Sequence, residues 1–260
     1  MLSQRIEPMT DHVYNTDFYD YIDDGSRASA RTVAPLLLAE MKIDSLLDVG
    51  AGHGAWAAEW LAAGVDDVVA VDGNYVKLDQ LVIPTLNFRA HDLSTPLDLG
   101  RTFGLVQSLE VAEHLPHAKA ATFVETLVRH GDVILFSAAV PHQGGEHHVN
   151  EQPPEYWRNL FKQEGYAAFD WLRPRLADQK QVKSWYRYNS FLYANAVGQK
   201  RLSPSIVGAR VDDSRLLEIG GDFAWHARRA MVRLIPTGLV KPVAMVKASV
   251  EAKLRRRAGA

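Results

Sequence analysis

Three glycines alternate at positions 50, 52 and 54 in the stretch SLLDVGAGHGAW, from Ser45 to Trp56. A helix or strand gains nothing from such a run. A ligand that presses against the backbone does, because glycine lacks a Cβ and reaches positive φ without strain. The helix start beyond it offers unpaired N–H groups. Asp48 stands just before the first glycine, and Asp72 ends the next apolar run, DVVAVD. An acid about 20 residues beyond a glycine turn is placed to accept both ribose hydroxyls of a nucleoside. The spacing Gly50-x-Gly52-x-Gly54 differs from the dinucleotide pattern G-x-G-x-x-G, and the turn has no lysine for a triphosphate. A ligand-free βα turn and a solvated strand-end aspartate are the plain alternatives.

A second group of reactive side chains is His114 with His142, His147 and His148, drawn from ten histidines in the chain. Imidazole titrates near neutrality and suits removal of a proton from a hydroxyl. Glu146 and Glu151 flank these rings, and Glu110 and Glu113 lie upstream, so a divalent metal is a competing use. Magnesium prefers oxygen ligands, which the histidines do not supply. An exposed histidine-rich loop without chemistry is the third reading. Trp157, Trp185, Tyr186 and Tyr188 offer rings for stacking a sugar, or for filling a core. Arg173, Arg175 and Arg187 are surface charges or contacts to an acidic acceptor.

The elements that must position these groups alternate along the middle of the chain. Strands are expected at Ser45–Val49, Asp67–Val71, Leu86–Arg89, Gly104–Leu109 and Asp132–Ala138. Helices are expected at Ala55–Ala63, Tyr75–Leu81 and Ala118–Arg129. Such alternation implies a doubly wound parallel sheet covered on both faces. Beyond the polar loop VPHQGGEHHVNEQPP come a helix opening at Pro154 and strands at Ala168–Leu172 and Ser190–Ala196. Of the chain's 260 residues, 1–44 are read as a helical cap, 45–197 as the ligand-binding domain and 198–260 as a basic extension.

The glycine turn resembles motif I of the class I methyltransferases that use S-adenosylmethionine. The resemblance continues in order through Asp72, AHDLSTPL and SLEVAEHLP. It implies a seven-stranded, mostly parallel sheet and a cofactor held by Asp48, Gly50, Gly52, Gly54, Asp72, Asp92, Leu93 and Glu110. In it Asp48 receives the methionine ammonium, Asp92 with Leu93 meets the adenine, and Glu110 lies beside the methionine half. Ser26, Arg27 and Ser29, in the preceding helix, are candidate carboxylate contacts. The chain is most similar to bacterial sugar and secondary-metabolite O-methyltransferases, through Gly144-Gly145-Glu146-His147-His148-Val149-Asn150-Glu151, Tyr156-Trp157 and Trp185-Tyr186-Arg187-Tyr188-Asn189. This implies His148 as the base with His147 as rival, and acceptor contacts from Asn150, Glu151, Tyr156, Trp185 and Tyr188. An amine acceptor, a non-catalytic cofactor-binding protein and an NAD-dependent oxidoreductase are the rival functions.

The remaining composition narrows the class. A formal charge of −2 gives no reason to expect nucleic acid, and the absence of cysteine excludes disulfides and thiolate metal sites. The N-terminal segment has acids and tyrosines where a signal peptide would be apolar, so a cytoplasmic protein is expected. Beyond Trp225 the tail carries Arg228, Arg229, Arg233, Lys241, Lys247, Lys253 and Arg255–Arg257 against Glu251. Packing on the domain or on a second copy of the chain is preferred there over contact with an anionic membrane.

Overall fold

A computed structural model describes residues 16–234, with side chains from Asp24 onward. The expectations for Lys241, Lys247, Glu251, Lys253 and Arg255–Arg257 lie outside the described residues. Helix α1 (Thr16–Leu38) precedes β1 (Ser45–Val49), α2 (Ala55–Ala62), β2 (Asp67–Asp72), β3 (Phe88–Ala90) and β4 (Leu105–Leu109). Then follow α3 (Ala120–His130), β5 (Val133–Ser137), α4 (Pro154–Gln163), β6 (Ala167–Phe169), α5 (Leu172–Leu176) and α6 (Ser184–Asn189). Strand β7 (Phe191–Ala194) and helices α7 (Pro204–Val207) and α8 (Phe223–Arg233) complete the described chain.

The seven strands form one sheet in the order β3-β2-β1-β4-β5-β7-β6. Strands β1 to β5 run parallel, and β7 is antiparallel to both β5 and β6. Residues alternate between the two faces, and the central strands are buried on both: Leu46 joins Trp60 and Ala30 on one side, while Leu47 joins Phe123 and Phe161 on the other. The strand order reverses between β1 and β4. The crevice beyond their carboxyl ends is where open α/β sheets bind ligands.

Three local expectations shift. Tyr75–Leu81 keeps only a single 3₁₀ turn at Leu78–Gln80, because Val76 turns inward while Tyr75 and Leu78 stay exposed, leaving no continuous apolar face for a helix. Strand β3 begins at Phe88, and Leu86 sits exposed on the 3₁₀ turn before it. The strand expected to reach Leu172 stops at Phe169, and α5 opens after buried Trp171, with Pro174 in its first turn. Beyond β7, Ile206 packs into the core beneath α1 and α2, and Leu217 into the opposite one.

Candidate active site

The glycine turn closes over the end of β1. Gly50 and Ala51 both donate their N–H groups to the Val71 carbonyl, at 2.8 and 3.2 Å, and Gly54 donates to Ala51. Gly50 and Gly52 have φ of +86° and +56°, a region L side chains enter only at a cost. Their surroundings differ. A Cβ on Gly50 would stand 2.3 Å from Val111, whereas one on Gly52 would meet nothing within 4 Å. Gly50 is therefore required by packing, and Gly52 leaves its open side to the crevice.

Asp72 is buried, and its carboxylate accepts the Gly52 N–H at 2.6 Å, the Gly73 N–H at 2.6 Å and the Tyr75 phenol. Burial raises its pKa, with the Tyr75 hydroxyl and the two amides opposing. A nucleoside diol reaching this carboxylate has to displace the Tyr75 hydroxyl. Asp48 lies buried beside Gln107 and the α2 backbone at Ala57, with one carboxylate oxygen lacking a partner. Burial pushes its pKa up to about 7. A buried carboxylate beside an open glycine turn, with one oxygen unsatisfied, fits a cationic ligand group. Asp92 is exposed beyond β3; the Ser94 hydroxyl and amide hold its pKa low, while Leu93 packs against the core.

Glu110 ends β4 with φ +58°, an uncommon conformation for a side-chain-bearing residue that strand ends at functional crevices tolerate. Its carboxylate accepts from Gln143 at 2.6 Å and Asn189 at 3.1 Å, and Asn189 also donates to Gln143 at 2.8 Å. Burial raises the Glu110 pKa against those bonds.

The histidine loop is stitched to the same edge. Val149 and Asn150 donate their N–H groups to the Glu113 carbonyl, and Arg229 from α8 donates twice to the Pro141 carbonyl. Glu151 accepts the N–H groups of His142 and Gly144 and lies 2.8 Å from His148 Nδ1. His148 Nε2 faces Glu113 Oε1 at 4.0 Å, and the His114 ring meets the His148 ring edge-on at 4.9 Å. Glu113 is fully buried, and its pKa is raised well above the carboxylate range by burial and by Glu110. Residues 113, 114, 148 and 151 are therefore brought together. Glu146 and His147 do not join them as a magnesium set: among the described residues, the three donors that converge are Glu113, His114 and His148, two of them imidazoles.

The expected acceptor contacts are placed as follows. Asn150 is buried, its side-chain Oδ1 accepting from Gln152 Nε2. Tyr156 packs on Trp157 and His117. Trp185 is half-buried against Tyr186. Tyr188 packs on Trp225 and gives its phenol hydrogen to Asp222. Trp157 and Tyr186 are buried too, the latter bonded to Ser26. These rings fill layers between helices and sheet. Arg27 is paired with Glu59 at 2.6 Å and Ser29 is bonded to Gly25 and Lys183, so α1 spends these groups on packing. Gln143, Tyr75 and Arg229 gave no sequence signal as site residues, whereas Asn189 closes the quoted Trp-Tyr-x-x-N segment.

A family model described as "Methyltransferase domain" matches residues 17–186. The chain belongs to that methyltransferase family. It is an S-adenosylmethionine-dependent methyltransferase of class I architecture, and the seven-stranded mixed sheet is the one expected from the sequence. No curated protein matches it by sequence. Among solved structures, the sugar N-methyltransferase KedS8 from Streptoalloteichus sp ATCC 53650 is similar in fold, with TM-score 0.55 at 16% identity over 75% of this chain and 98% of that one. An O-methyltransferase family protein from Burkholderia thailandensis gives TM-score 0.51 at 12% identity, over 68% of this chain and 58% of that one. Among the described residues, no helix of this methyltransferase is long and apolar enough to cross a membrane.

Proposed function

We propose that this methyltransferase acts on a hydroxyl of a sugar, oligosaccharide or glycosylated metabolite, with His148 taking the proton. The observation that carries the reading is the contact of His148 Nδ1 with Glu151 at hydrogen-bond distance, 2.8 Å, at the sheet edge shared with Glu110 and the glycine turn. Glu151 fixes the ring and keeps the proton on Nδ1, so Nε2 is the free base. Two backbone amides hold Glu151 in turn, and the Glu113 carbonyl anchors the loop.

The cofactor supplies an activated methyl group on a sulfonium sulfur. The residues that would hold it are Gly52 on its open side, Asp72 for the ribose diol, and Asp48 and Glu110 near the cationic end. Their work is to align donor and acceptor and to keep water out. The acceptor class rests on the Gly-Gly…His-x-Asn-Glu and Trp-Tyr-x-x-Asn segments and agrees with the sugar chemistry named for KedS8.

Incubation with labelled S-adenosylmethionine and a panel of neutral and amino sugars, read by mass spectrometry, tests this. Transfer to a hydroxyl is expected, with His148→Ala slowing turnover by about 10²–10⁴-fold at unchanged S-adenosylhomocysteine affinity. Transfer confined to amines would replace the hydroxyl by a nitrogen acceptor. Full activity in His148→Ala would remove the base assignment.

A further inference from the structure

Glu113 is buried completely, yet neither carboxylate oxygen has a hydrogen-bond partner of sound geometry. A buried polar group in that condition calls for a proton or a cation. What faces it is a pair of imidazoles. His148 Nε2 is 4.0 Å from Glu113 Oε1, and one donor atom each from Glu113, His114 and His148 lie within 4.8 Å of one another.

We propose that Glu113, His114 and His148 form a three-ligand site for a divalent first-row transition ion, with Zn²⁺ as the fitting example. Two nitrogens and one carboxylate oxygen match zinc rather than magnesium or calcium. Bonds of about 2.1 Å in a tetrahedron set neighbouring donors about 3.4 Å apart, so the 4.0 Å pair has to close by only about half an ångström. The surrounding bonds already favour it. Glu151 on Nδ1 leaves the Nε2 lone pair of His148 for the ion, the carboxylate–histidine–metal arrangement of established zinc sites. The backbone bonds from Val149 and Asn150 to the Glu113 carbonyl fix the spacing of the two contributing segments. His114 is exposed, which gives the ion its entry. Three protein ligands leave a fourth position open to water or an acceptor oxygen.

The ion would use the Nε2 that the proton transfer proposed above needs, so the two are alternatives at one nitrogen. The binding claim does not depend on that transfer. Full-length, untagged protein freed of metal by chelation is titrated with Co²⁺ and followed by visible absorption. One Co²⁺ per chain is expected, with the intense d–d bands of a four- or five-coordinate ion, displaced by Zn²⁺ and not by excess Mg²⁺. Glu113→Gln and His114→Ala should each weaken it by at least about tenfold, while His226→Ala, an exposed histidine on α8, should leave it unchanged. The proposal is overturned by absent stoichiometric binding, by full affinity in both ligand variants, or by equal loss in His226→Ala. Should Glu113→Gln fail to fold by circular dichroism, the exposed His114→Ala decides alone.

Discussion

The Gly52 N–H donates to Asp72 Oδ2 at 2.6 Å, so the middle glycine of the turn hangs from the carboxylate that ends the neighbouring strand. One side chain therefore shapes the turn and is the one proposed above to meet the ribose diol. Asp72→Asn keeps the size but removes the charge and one acceptor. Hydrogen bonds to charged groups contribute about 1.5–3 kcal/mol. A stability loss of that order is expected in urea unfolding, together with about a tenfold or larger drop in S-adenosylhomocysteine affinity by calorimetry. Unchanged affinity would separate Asp72 from the nucleoside.

The contrast between Gly50 and Gly52 gives a paired test. Both substitutions to alanine impose a left-handed backbone cost of about 1–2 kcal/mol. Only Gly50→Ala adds the collision with Val111 at 2.3 Å, so it should lower the melting temperature well beyond Gly52→Ala. Gly52→Ala should fold, because its methyl meets nothing in the protein, yet lose cofactor binding, because the methyl fills the space a ligand needs. Retained S-adenosylhomocysteine binding in folded Gly52→Ala would show that the ligand does not press on this turn.

Asp48 makes both stability and binding depend on pH. Its folded pKa, about 7, is raised above the usual 3.8 by burial. The contribution to stability is then full below the unfolded value and is lost as pH rises through about 7. A displacement of roughly three units corresponds to something on the order of 4 kcal/mol. Asp48→Asn should flatten that slope in urea unfolding between about pH 5 and about pH 8. A cationic ligand group needs the ionised form, so S-adenosylhomocysteine affinity should climb about tenfold per unit below pH 7 and level off above it. A pH-independent affinity would detach Asp48 from the ammonium.

The strands and the glycine turn were legible because they are local. Short, largely apolar runs such as LLDV and VILFS are buried on both faces, and alternate glycines have few uses. Their partners were not legible because they are distant in sequence. Gln143 and Asn189 reach Glu110 from two separate segments, and a glutamine in a polar loop carries no mark of burial. The aromatic residues were ambiguous for a related reason. Composition cannot separate a ring that stacks on a sugar from one that fills a layer, and Tyr188 goes to Trp225 and Asp222. Nothing in SLEVAEHLP marks Glu113 for burial, and only the fold shows it sealed from water beside His148.

The histidine loop owes its position to α8, far along the chain. The Arg229 guanidinium donates to the Pro141 carbonyl at 2.6 and 3.0 Å, and Val232 lies 3.5 Å from where a Gly144 Cβ would stand. Trp225 of the same helix is buried with Tyr188 and Val140 at the base of the loop. Arg229→Ala removes two charge-assisted bonds from one carbonyl that is otherwise left at the loop's start, while the glycine turn, Asp48 and Asp72 belong to the other half of the sheet edge. The variant should lose about 1–3 kcal/mol of local loop stability, seen as faster amide hydrogen exchange over residues 141–149. Acceptor KM should rise severalfold, while S-adenosylhomocysteine affinity and the global unfolding midpoint change little. If cofactor affinity fell as far as acceptor binding, α8 would be supporting the whole crevice, and the division of the edge into a cofactor half and an acceptor half would fail.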